Sequence, residues 1–515
     1  MSTADIDEDR EKNRLRFRGG RAASAVPLLV FVVWAVVQSG LLGIGDTTGL
    51  VAGMLIALII GLFLVKGDWK RYADAVFAGM TRKVAVTAVV AWLWAGMFAE
   101  TIQVGGFVDG LVWAARAFEV GAALFPAITF LLAALLATGI GTGYGTAIAF
   151  TTLVFPAGVL LGADPVLLFG AILSGAVFGD NLAPVSDTTI VSAVTQNADI
   201  GGVVASRVKY AVVAAVLAFA SYLYAGAQMA GQPLDVGAQL QQVSPWGLLH
   251  LLPIAVVIFT AVAGRHIIEA ISWGIVSAVV LNLLLGWLGL VDVAASDMVV
   301  FRAPETSDVA ASLAGAPVVG AIVETVPRGD AVVGGSFYAG ASGFFPLIVL
   351  TLLLVAGVQI MRDGGGFDAV EDWLLSSVAT SVRRTELTMV LGTALVNAAV
   401  TINTAAEIAI APFVSTLGQR FNINAYRRAN ILDANTSALG YIFPWGGGLL
   451  AGYSVMVSLP DEYAWFTEAM VVNPASVWPY VFHGWFLVAV FIVAAYTGFG
   501  REYVPDRASE EVSRV

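Results

Sequence analysis

Two aspartates lie in an apolar part of the chain, in surroundings that suit cation chemistry. They are Asp180 and Asp187 of the segment GDNLAPVSDTT, which separates the apolar stretches PVLLFGAILSGAVF and IVSAV and contains no basic residue. Pro184 stands between them and predicts a helix break that frees backbone carbonyls. Hard cations such as Na⁺ prefer oxygen ligands of this kind. The neutral side-chain oxygens that we assign to the same site are those of Asn181, Ser186, Thr188 and Thr189.

A second interpretation stays open for Asp187. It precedes the run TTIVSAV and has a side chain of the type that caps helix N-termini, so it also fits a kinked helix without a bound ion. The capping role and the binding role are compatible. A half-helix that ends near Gly179 would further stabilise a cation with the negative end of its dipole.

The composition shows why carboxylates in this position are unusual. Of the 515 residues, 58% are hydrophobic and 12% are charged, whereas soluble domains carry roughly 25% charged residues. Apolar runs of about 20 residues recur, each long enough to cross a bilayer. The chain is therefore predicted to be an all-α polytopic membrane protein. An ionisable group inside a membrane costs roughly 3 kcal/mol and usually marks an ion or proton path.

Cysteine is absent and only three histidines occur, which excludes disulfides, thiolate chemistry and Cys-ligated metals and disfavours a His-rich metal site. No cofactor is expected. The glycine-rich segment GIGTGYGT lacks the ending of a phosphate-binding loop, so nothing in the sequence supports an ATP-driven mechanism.

A related group of residues follows in the second half. The segment LDANTSALG resembles GDNLAPVSD in relative position, which predicts that Asp433 matches the first pair of aspartates. FPWGGG, Phe443 to Gly448, follows it and predicts a second break. Asp433 either binds a cation or proton, or forms an interfacial ion pair with Arg427 or Arg428. The neutral candidates beside it are Asn435, Thr436 and Ser437.

Three further acids stand near predicted membrane segments. Glu100 ends a predicted crossing and Glu407 follows a predicted hairpin break, so both are secondary candidates for the site. Glu269 stands beside Arg265 and His266, which predicts an interfacial ion pair for it.

Five crossings are predicted in each half. Those of the first half are 25–44, 47–66, 83–103, 164–199 with a break, and 207–230. Those of the second half are 246–264, 267–291, 343–361, 425–457 with a break, and 477–499. The same order of five crossings, with the fourth one broken, therefore occurs in both halves.

Each half also contains an interrupted pair of short apolar arms, which predicts a re-entrant hairpin. The pairs are 121–162, interrupted at GIGTGYGT, and 386–418, interrupted at VTINTAAE. Polar residues near the tips are candidate ligands, although turn and packing roles in membrane helices also explain them. These candidates are Thr142, Thr146, Thr401, Asn403 and Thr404.

The two halves are predicted to be inverted repeats. QVGGFVDGL and DGGGFDAVEDWL share a GGF at the same place in each half. Because five crossings is an odd number, the second repeat must lie in the membrane in the opposite orientation, as in many secondary transporters. With the N-terminus in the cytoplasm, the only basic residues on the outer side are Arg116, Arg302 and Arg328, as the positive-inside rule requires.

This topology divides the chain and places both termini in the cytoplasm of a cell-membrane protein. The predicted divisions are a tail at 1–24, a first repeat at 25–230, an external linker at 231–245, a second repeat at 246–499 with an external loop at 292–342, and a tail at 500–515. The net charge of −11 and the scarcity of lysine favour a halophilic source, and an ordinary acidic membrane protein is the alternative.

At FGDNLAPVSDTT the chain resembles the NhaC family of Na⁺/H⁺ antiporters, within the wider ion-transporter superfamily. The segment LDANTSALGYIFPWGGG resembles a second family segment that also contains a Pro-Trp pair. Where the family commonly has Asn after this pair, the chain has Gly446, which would remove a ligand and change substrate or stoichiometry. The first family pattern falls on Gly179, Asp180, Pro184, Ser186, Asp187 and Thr188, and the resemblance extends from about Pro27 to Gly498.

The resemblance implies exchange of Na⁺ for H⁺ by alternating access, with the lipid bilayer as surroundings and no nucleic acid as partner. Exchange of organic acids such as malate and lactate is the alternative within the family. A homodimer stays open. An intramembrane aspartyl protease, in which Asp180 and Asp433 share a proton, is a distant alternative because its sequence patterns are absent. A passive channel fits the broken helices less well than a carrier does.

Overall fold

A computed structural model describes residues 14–67, 69–184, 186–234, 243–377 and 381–504. Within these ranges the chain is mostly helical, which confirms the predicted all-α class. Most of the predicted tail at 1–24, residues 235–242 of the predicted linker and residues 505–515 of the predicted C-terminal tail lie outside the described residues.

Nine of the predicted crossings appear among the described residues as helical segments long and apolar enough to span a membrane, so the protein is a multi-pass membrane protein. The crossing predicted at 246–264 appears as the shorter apolar helical stretch Pro245–Ala261. The nine long segments are Arg21–Leu41, Thr47–Leu64, Lys83–Val104, Pro165–Gln196, Ile200–Met229, Ile267–Trp287, Ser336–Asp363, Ala425–Glu462 and Glu468–Thr497.

Eleven α-helices lie among the described residues of the first half, and residues with capping side chains begin several of them. Asp46, Asp164 and Asp199 each accept a hydrogen bond from a backbone N–H of the first turn that follows. The helices are α1 (Val26–Ala35), α2 (Thr47–Leu64), α3 (Trp69–Met80), α4 (Lys83–Val104), α5 (Phe107–Ala117), α6 (Phe125–Ile140), α7 (Gly143–Leu153), α8 (Phe155–Leu160), α9 (Pro165–Leu182), α10 (Asp187–Gln196) and α11 (Ile200–Met229).

The second half follows the same order of long helices, with a small insertion. Its helices are α12 (Leu251–Val262), α13 (Ile267–Trp287), α14 (Ala295–Met298), α15 (Asp308–Ala314), α16 (Ser336–Ser342), α17 (Phe345–Asp363), α18 (Gly366–Ser377), α19 (Val382–Val400), α20 (Asn403–Arg420), α21 (Ala425–Ile442), α22 (Gly447–Met456), α23 (Leu459–Glu462), α24 (Pro474–Val477) and α25 (Phe482–Thr497).

The predicted loop at 292–342 carries a small sheet. Strand β1 (Val300–Pro304) lies in the middle, parallel to β2 (Val323–Val326) and antiparallel to β3 (Val332–Gly334). No regular structure was predicted for this segment, because three strands of three to five residues give too short a pattern to recognise.

At both predicted hairpins the chain turns between two helices, and the two tips share one backbone conformation, while re-entrance into a membrane stays a prediction. The first turns between α6 and α7 at Gly141, with φ 73°, followed by the extended residue Thr142. The second turns between α19 and α20 at Thr401, with φ 62°, followed by the extended residue Ile402. A left-handed residue followed by an extended one reverses the chain at both places.

The two halves pack crosswise. Helix α2 contacts α17, and its counterpart α13 contacts α4. The second hairpin arm of each half, α7 or α20, packs on the second part of the other half's broken helix, α22 or α10. Repeats related by a two-fold axis pack in this way, while their opposite orientation in a membrane stays a prediction.

Candidate functional site

The first helix break places the two aspartates in the interior. Helix α9 ends at Leu182 and α10 begins at Asp187, so Asp180 lies in the last turn of one helix and Asp187 in the first turn of the next. Asp180 is 2% exposed. The Ser186 hydroxyl donates to Asp180 Oδ1 at 2.8 Å and lies 3.0 Å from the Thr188 hydroxyl. Three of the predicted residues, Asp180, Ser186 and Thr188, are therefore joined by hydrogen bonds.

The structure differs from the capping interpretation of Asp187 in one respect. Ser186 occupies the N-cap position of α10, and Asp187 is the first helical residue. The Asp187 carboxylate accepts the N–H of Thr188 at 3.0 Å through Oδ1, so it still binds a backbone group at the helix start. Its other oxygen stays free for a partner outside the helix.

That partner comes from the second hairpin. The Thr404 hydroxyl donates to Asp187 Oδ2 at 2.5 Å, and Asn403 Nδ2 donates to Asp180 Oδ2 at 3.4 Å. Asn403 and Thr404 are the first two residues of α20, so the positive end of that helix dipole also faces the carboxylates. Two of the five predicted hairpin-tip residues thus reach the predicted aspartates directly.

Two tyrosines that the sequence analysis did not identify complete this group. The Tyr441 hydroxyl donates to Asp180 Oδ2 at 3.2 Å, and the Tyr144 hydroxyl accepts the N–H of Asn403 at 3.4 Å. The two rings lie 5.5 Å apart between centroids. Gly143 permits this arrangement, because a Cβ at that position would meet the Tyr441 hydroxyl.

Two buried amide side chains have polar atoms without a hydrogen-bond partner among the described residues. They are Oδ1 of Asn403, whose Nδ2 binds Asp180, and Oδ1 and Nδ2 of Asn181, which follows Asp180 in the chain. A buried polar atom without a partner costs free energy. The two amide oxygens are also the kind of neutral ligand that a hard cation takes. The residues present therefore fit a cation held by Asp180 and Asp187.

Asp433 has a different environment from the one predicted. It forms a fully buried ion pair with Arg207 of α11, not with Arg427 or Arg428. The Arg207 guanidinium also donates to the backbone oxygen of Asn181 at 2.5 Å and to the Thr189 hydroxyl at 3.2 Å. Arg207 thus binds both Asp433 and a carbonyl near the first helix break.

The predicted positional match of Asp433 with Asp180 is wrong. The two broken helices correspond at their ends, since α9 stops at Leu182 before Pro184 and α21 stops at Ile442 before Pro444. Asp180 stands two residues before that end, whereas Asp433 stands nine residues before it, inside an uninterrupted helix. Similar composition did not fix the register between the two segments.

The three predicted neighbours of Asp433 make these contacts within the second half of the chain. Ser437 donates to Asp433 Oδ1 at 2.5 Å, Asn435 donates to the carbonyl of Ile431 at 2.8 Å, and the Thr436 hydroxyl lies 2.8 Å from Glu407 Oε1. All three are buried. None of these contacts reaches Asp180 or Asp187.

The remaining hairpin-tip candidates stabilise the turns. Thr142 caps α7 by accepting the N–H of Gly145 at 3.3 Å, and the Thr146 hydroxyl donates to the carbonyl of Thr142 at 3.0 Å. The carbonyl of Thr401 accepts the N–H of Gly447 at 3.0 Å, which joins the second hairpin to the second helix break. These contacts agree with the turn and packing roles that the sequence left open.

Three other acids lie apart from the group of residues around Asp180 and Asp187. Glu100 is buried at the end of α4, where its carboxylate neighbours that of Glu462. Glu269, in the first turn of α13, lies 3.9 Å from Arg265, as the predicted ion pair requires, while the place of this pair at a membrane surface stays a prediction. Glu386, which the sequence analysis did not consider, pairs with Arg427 at 2.8 Å and with Arg501 at 2.7 Å.

The second helix break, between α21 and α22, also explains why position 446 is a glycine. It is the N-cap residue of α22, and a Cβ there would meet the carbonyl oxygen of Gly440. The break as folded therefore has no room for the asparagine side chain expected after the Pro-Trp pair.

Comparison with known proteins finds a family that the chain matches in both halves. A sequence model described as the Na⁺/H⁺ antiporter family matches residues 20–227 and 205–485. Together these two segments cover most of the chain, including both helix breaks and both hairpins.

Individual relatives match shorter parts at low identity, and the matched parts cover about a third to just over half of each relative's length. The malate-2H⁺/Na⁺-lactate antiporter of Bacillus subtilis is 26% identical over 181 residues, 35% of this chain and 38% of the relative. The arginine/ornithine antiporter ArcD of Halobacterium salinarum is 22% identical over 278 residues, which are 52% of this chain and 56% of the relative. The Na⁺/H⁺ antiporter NhaC of Alkalihalophilus pseudofirmus is 26% identical over 164 residues, which are 32% of this chain and 35% of the relative.

Proposed function

We propose, because the chain belongs to the Na⁺/H⁺ antiporter family, that it exchanges Na⁺ for H⁺ across the cell membrane. Membership of this family indicates a transporter rather than an enzyme. The proposal rests on one observation above all. Asp180 and Asp187, two buried carboxylates, flank one helix break and are held by hydroxyl, amide and backbone N–H groups rather than by basic side chains.

The charge balance of the core supports this assignment. Among the described residues, the ion pairs of the interior involve Asp433 and Glu386, and none involves Asp180 or Asp187. A buried carboxylate without a fixed counter-charge needs a proton or a metal cation. These two carboxylates can therefore hold H⁺ or Na⁺ in turn, and the bare anions are too costly to carry across the bilayer.

The groups around Asp180 and Asp187 suit both a bound proton and a bound Na⁺. The hydroxyls of Ser186 and Thr404 donate to an ionised carboxylate, and a hydroxyl also has lone pairs that can bind a cation. The unpartnered oxygen of Asn403, whose Nδ2 binds Asp180, supplies a neutral ligand close to that carboxylate. Na⁺ thus finds oxygen ligands when it replaces a proton, and exchange follows if only the loaded site changes its access.

A second candidate is exchange of organic ions, since two relatives are named as antiporters of malate and lactate or of arginine and ornithine. A carboxylate substrate would need a free basic side chain in the core. Arg207 is buried there but is engaged by Asp433 and by the Asn181 carbonyl. This arrangement favours Na⁺/H⁺ exchange. It also argues against an aspartyl protease, because Asp433 pairs with Arg207 rather than sharing a proton with Asp180.

The finer parts of the proposal concern placement in the membrane. We place both termini in the cytoplasm, with the two repeats in opposite orientations, and the distribution of arginine and lysine supports this. The acidic, lysine-poor composition supports a halophilic source. We also propose that the protein forms a homodimer, which the mass of the purified protein in solution would test.

The test is proton flux in proteoliposomes that contain a pH-sensitive dye. An imposed Na⁺ gradient should move protons in the opposite direction, whereas malate, lactate or arginine gradients should not. Asp180→Asn should abolish the flux, because an amide cannot exchange a proton, and Asp187→Asn should reduce it severely. Asp164→Asn is the matched control, since this aspartate of the same helix only caps it and Asn caps equally well. Full Na⁺-driven flux in Asp180→Asn would refute the assignment.

A further inference from the structure

The hairpins and the helix breaks of the two halves share one register. Helix α20 begins at Asn403, 260 residues after the start of α7 at Gly143. Helix α22 begins at Gly447, also 260 residues after the start of α10 at Asp187. Each residue of the ion site therefore has a counterpart 260 residues away in the other half. The counterparts of Asp180, Asp187 and Thr404 are Gly440, Gly447 and Tyr144.

One contact shows that these counterparts also correspond in space. In the ion site, the Thr404 hydroxyl of the second hairpin donates to Asp187 in the first turn of α10. In the other half, Tyr144 of the first hairpin lies against Gly447 in the first turn of α22, where a Cβ would be 3.2 Å from the tyrosine hydroxyl. The fold thus forms the junction of hairpin tip and helix start twice, and only the first junction has carboxylates at these positions.

Aromatic rings fill the second junction. The rings of Tyr144 and Tyr441 lie 5.5 Å apart between centroids, and the Trp92 ring meets Tyr144 edge to face at 5.7 Å. Neither Gly440 nor Gly447 has a side chain that could neutralise a cation. A buried cation without a counter-charge is costly, so the second junction lacks the main requirement of a Na⁺ site.

The same two tyrosines support the ion site at the first junction. The Tyr441 hydroxyl donates to Asp180 Oδ2 at 3.2 Å. The Tyr144 hydroxyl accepts the N–H of Asn403 at 3.4 Å, and Asn403 in turn donates to Asp180. The second junction therefore contributes hydrogen bonds to the first.

We propose that Tyr144 and Tyr441 fill the place of a second ion site and so restrict the protein to one bound Na⁺. This inference rests on the proposed Na⁺/H⁺ exchange and concerns how many ions the exchanger holds. Tyr144 acts here as a positioning residue, because it excludes an ion from one junction and holds the start of α20 at the other. A single site also requires that the exchange rate rise hyperbolically with Na⁺ concentration, whereas two coupled sites would give a sigmoidal rise.

The first experiment counts Na⁺ on the purified full-length protein by equilibrium binding of radioactive Na⁺. We expect one saturable Na⁺ per chain in wild type and a hyperbolic Na⁺ dependence of proton flux in proteoliposomes. The variant that combines Asp180→Asn with Asp187→Asn should hold no saturable Na⁺. Two saturable Na⁺ in wild type, or one that remains in the double Asn variant, would overturn the proposal.

The second experiment rebuilds the missing site. Tyr144→Thr together with Gly447→Asp copies the contact between Thr404 and Asp187 into the second half. Once the tyrosine ring is gone, the nearest atom to a Cβ at position 447 is the carbonyl oxygen of Thr401 at 3.1 Å, so the new side chain needs only a small adjustment. We expect this rebuilt variant to hold a second saturable Na⁺.

A matched variant separates the ring from the new carboxylate. Tyr144→Phe together with Gly447→Asp has the same carboxylate but keeps an aromatic ring, so it should hold one Na⁺. If it is not recovered as folded protein, Tyr144→Thr alone replaces it and should also hold one Na⁺, because it opens the space without a counter-charge. A folded rebuilt variant that still holds one Na⁺ would show that the tyrosine is not what excludes the second ion. If the rebuilt variant does not fold, the counts in wild type and in the double Asn variant decide.

The outcomes separate this proposal from the one on which it rests. Absence of both saturable Na⁺ binding and Na⁺-driven proton flux in wild type would refute Na⁺/H⁺ exchange itself. More than one bound Na⁺ in a wild-type protein that exchanges Na⁺ for H⁺ would refute only the restriction to one ion.

Discussion

Arg207 and Asp433, 226 residues apart in the sequence, form an ion pair in which both side chains are fully buried. The pair places a fixed positive charge next to the first helix break without bringing it to Asp180 or Asp187. Asp433 therefore has the geometry of a residue that holds Arg207, and Arg207 holds the freed carbonyl of Asn181.

Loss of either member of this pair should destabilise the protein strongly. Breaking a buried ion pair from one side leaves an uncompensated charge and typically costs about 3–5 kcal/mol. We expect Asp433→Asn and Arg207→Gln each to lower the thermal unfolding temperature, measured by size-exclusion chromatography after heating. The double variant should cost less than the sum of the two single variants. If Asp433→Asn folds as well as wild type and only weakens Na⁺ binding, the ligand role first predicted for Asp433 is restored.

The Tyr441 hydroxyl should contribute to the discrimination between Na⁺ and H⁺. It donates to Asp180 Oδ2, and hydrogen bonds to charged groups are worth about 1.5–3 kcal/mol. Tyr441→Phe removes a donor that stabilises the ionised carboxylate. We expect a loss of about tenfold or more in apparent Na⁺ affinity, measured as the Na⁺ concentration that gives half-maximal proton flux. Tyr426→Phe, which alters a hydroxyl bound to Asp199 at the surface, should leave that concentration unchanged.

The two hairpin tips allow a matched test of backbone strain. Thr401 adopts φ 62° at the position where the first hairpin has Gly141 at φ 73°. A non-glycine residue in this region costs roughly 1–2 kcal/mol. We expect Gly141→Thr to lower the unfolding temperature and Thr401→Gly to leave it equal or raise it. Thr401→Gly keeps the carbonyl that binds Gly447, so a loss of transport in a stable variant would instead assign the Thr401 side chain to the ion site.

The membrane topology can be tested with single cysteines, because the chain has none of its own. Thr306 lies in the predicted external loop, and Gln419 lies at the end of α20 on the predicted cytoplasmic side; both are exposed. Thr306→Cys should react with an impermeant maleimide in intact cells, and Gln419→Cys only in inverted vesicles. Labelling of both positions from one side would contradict the predicted topology of the second repeat, in which the segment 343–361 crosses the membrane once and the second hairpin returns to the side from which it enters.

The interrupted helices and hairpins were predictable because their causes are local. Proline removes a backbone donor wherever it stands, so Pro184 was sufficient to predict the break between α9 and α10. The glycine-rich tip at Gly141 predicted the first hairpin for a similar reason. Asp180, Asp187, Ser186 and Thr188 lie within nine residues, and their proximity followed from that spacing.

The partners of these residues come from distant helices, and no local pattern indicates them. Arg207 was counted among the cytoplasmic basic residues because the crossing was predicted to begin there. Helix α11 instead begins at Ile200, which carries Arg207 two turns into the protein. Tyr441 was passed over since an aromatic residue in a membrane helix is usually explained by packing. The position of Arg207 inside a long apolar helix was the one signal in the sequence that could have identified it as a buried, paired residue.

The crosswise contact between the halves has a consequence for synthesis of the protein. Asp180 is bound by Asn403 and Tyr441, which stand 223 and 261 residues later in the chain. At a synthesis rate of roughly 5–20 residues per second, these partners are made on the order of ten to fifty seconds after Asp180. During that interval the first half must keep its carboxylates protonated, hydrated or shielded by the insertion machinery. The rate at which a ribosome completes the second half therefore sets how long an unfinished ion site waits in the membrane.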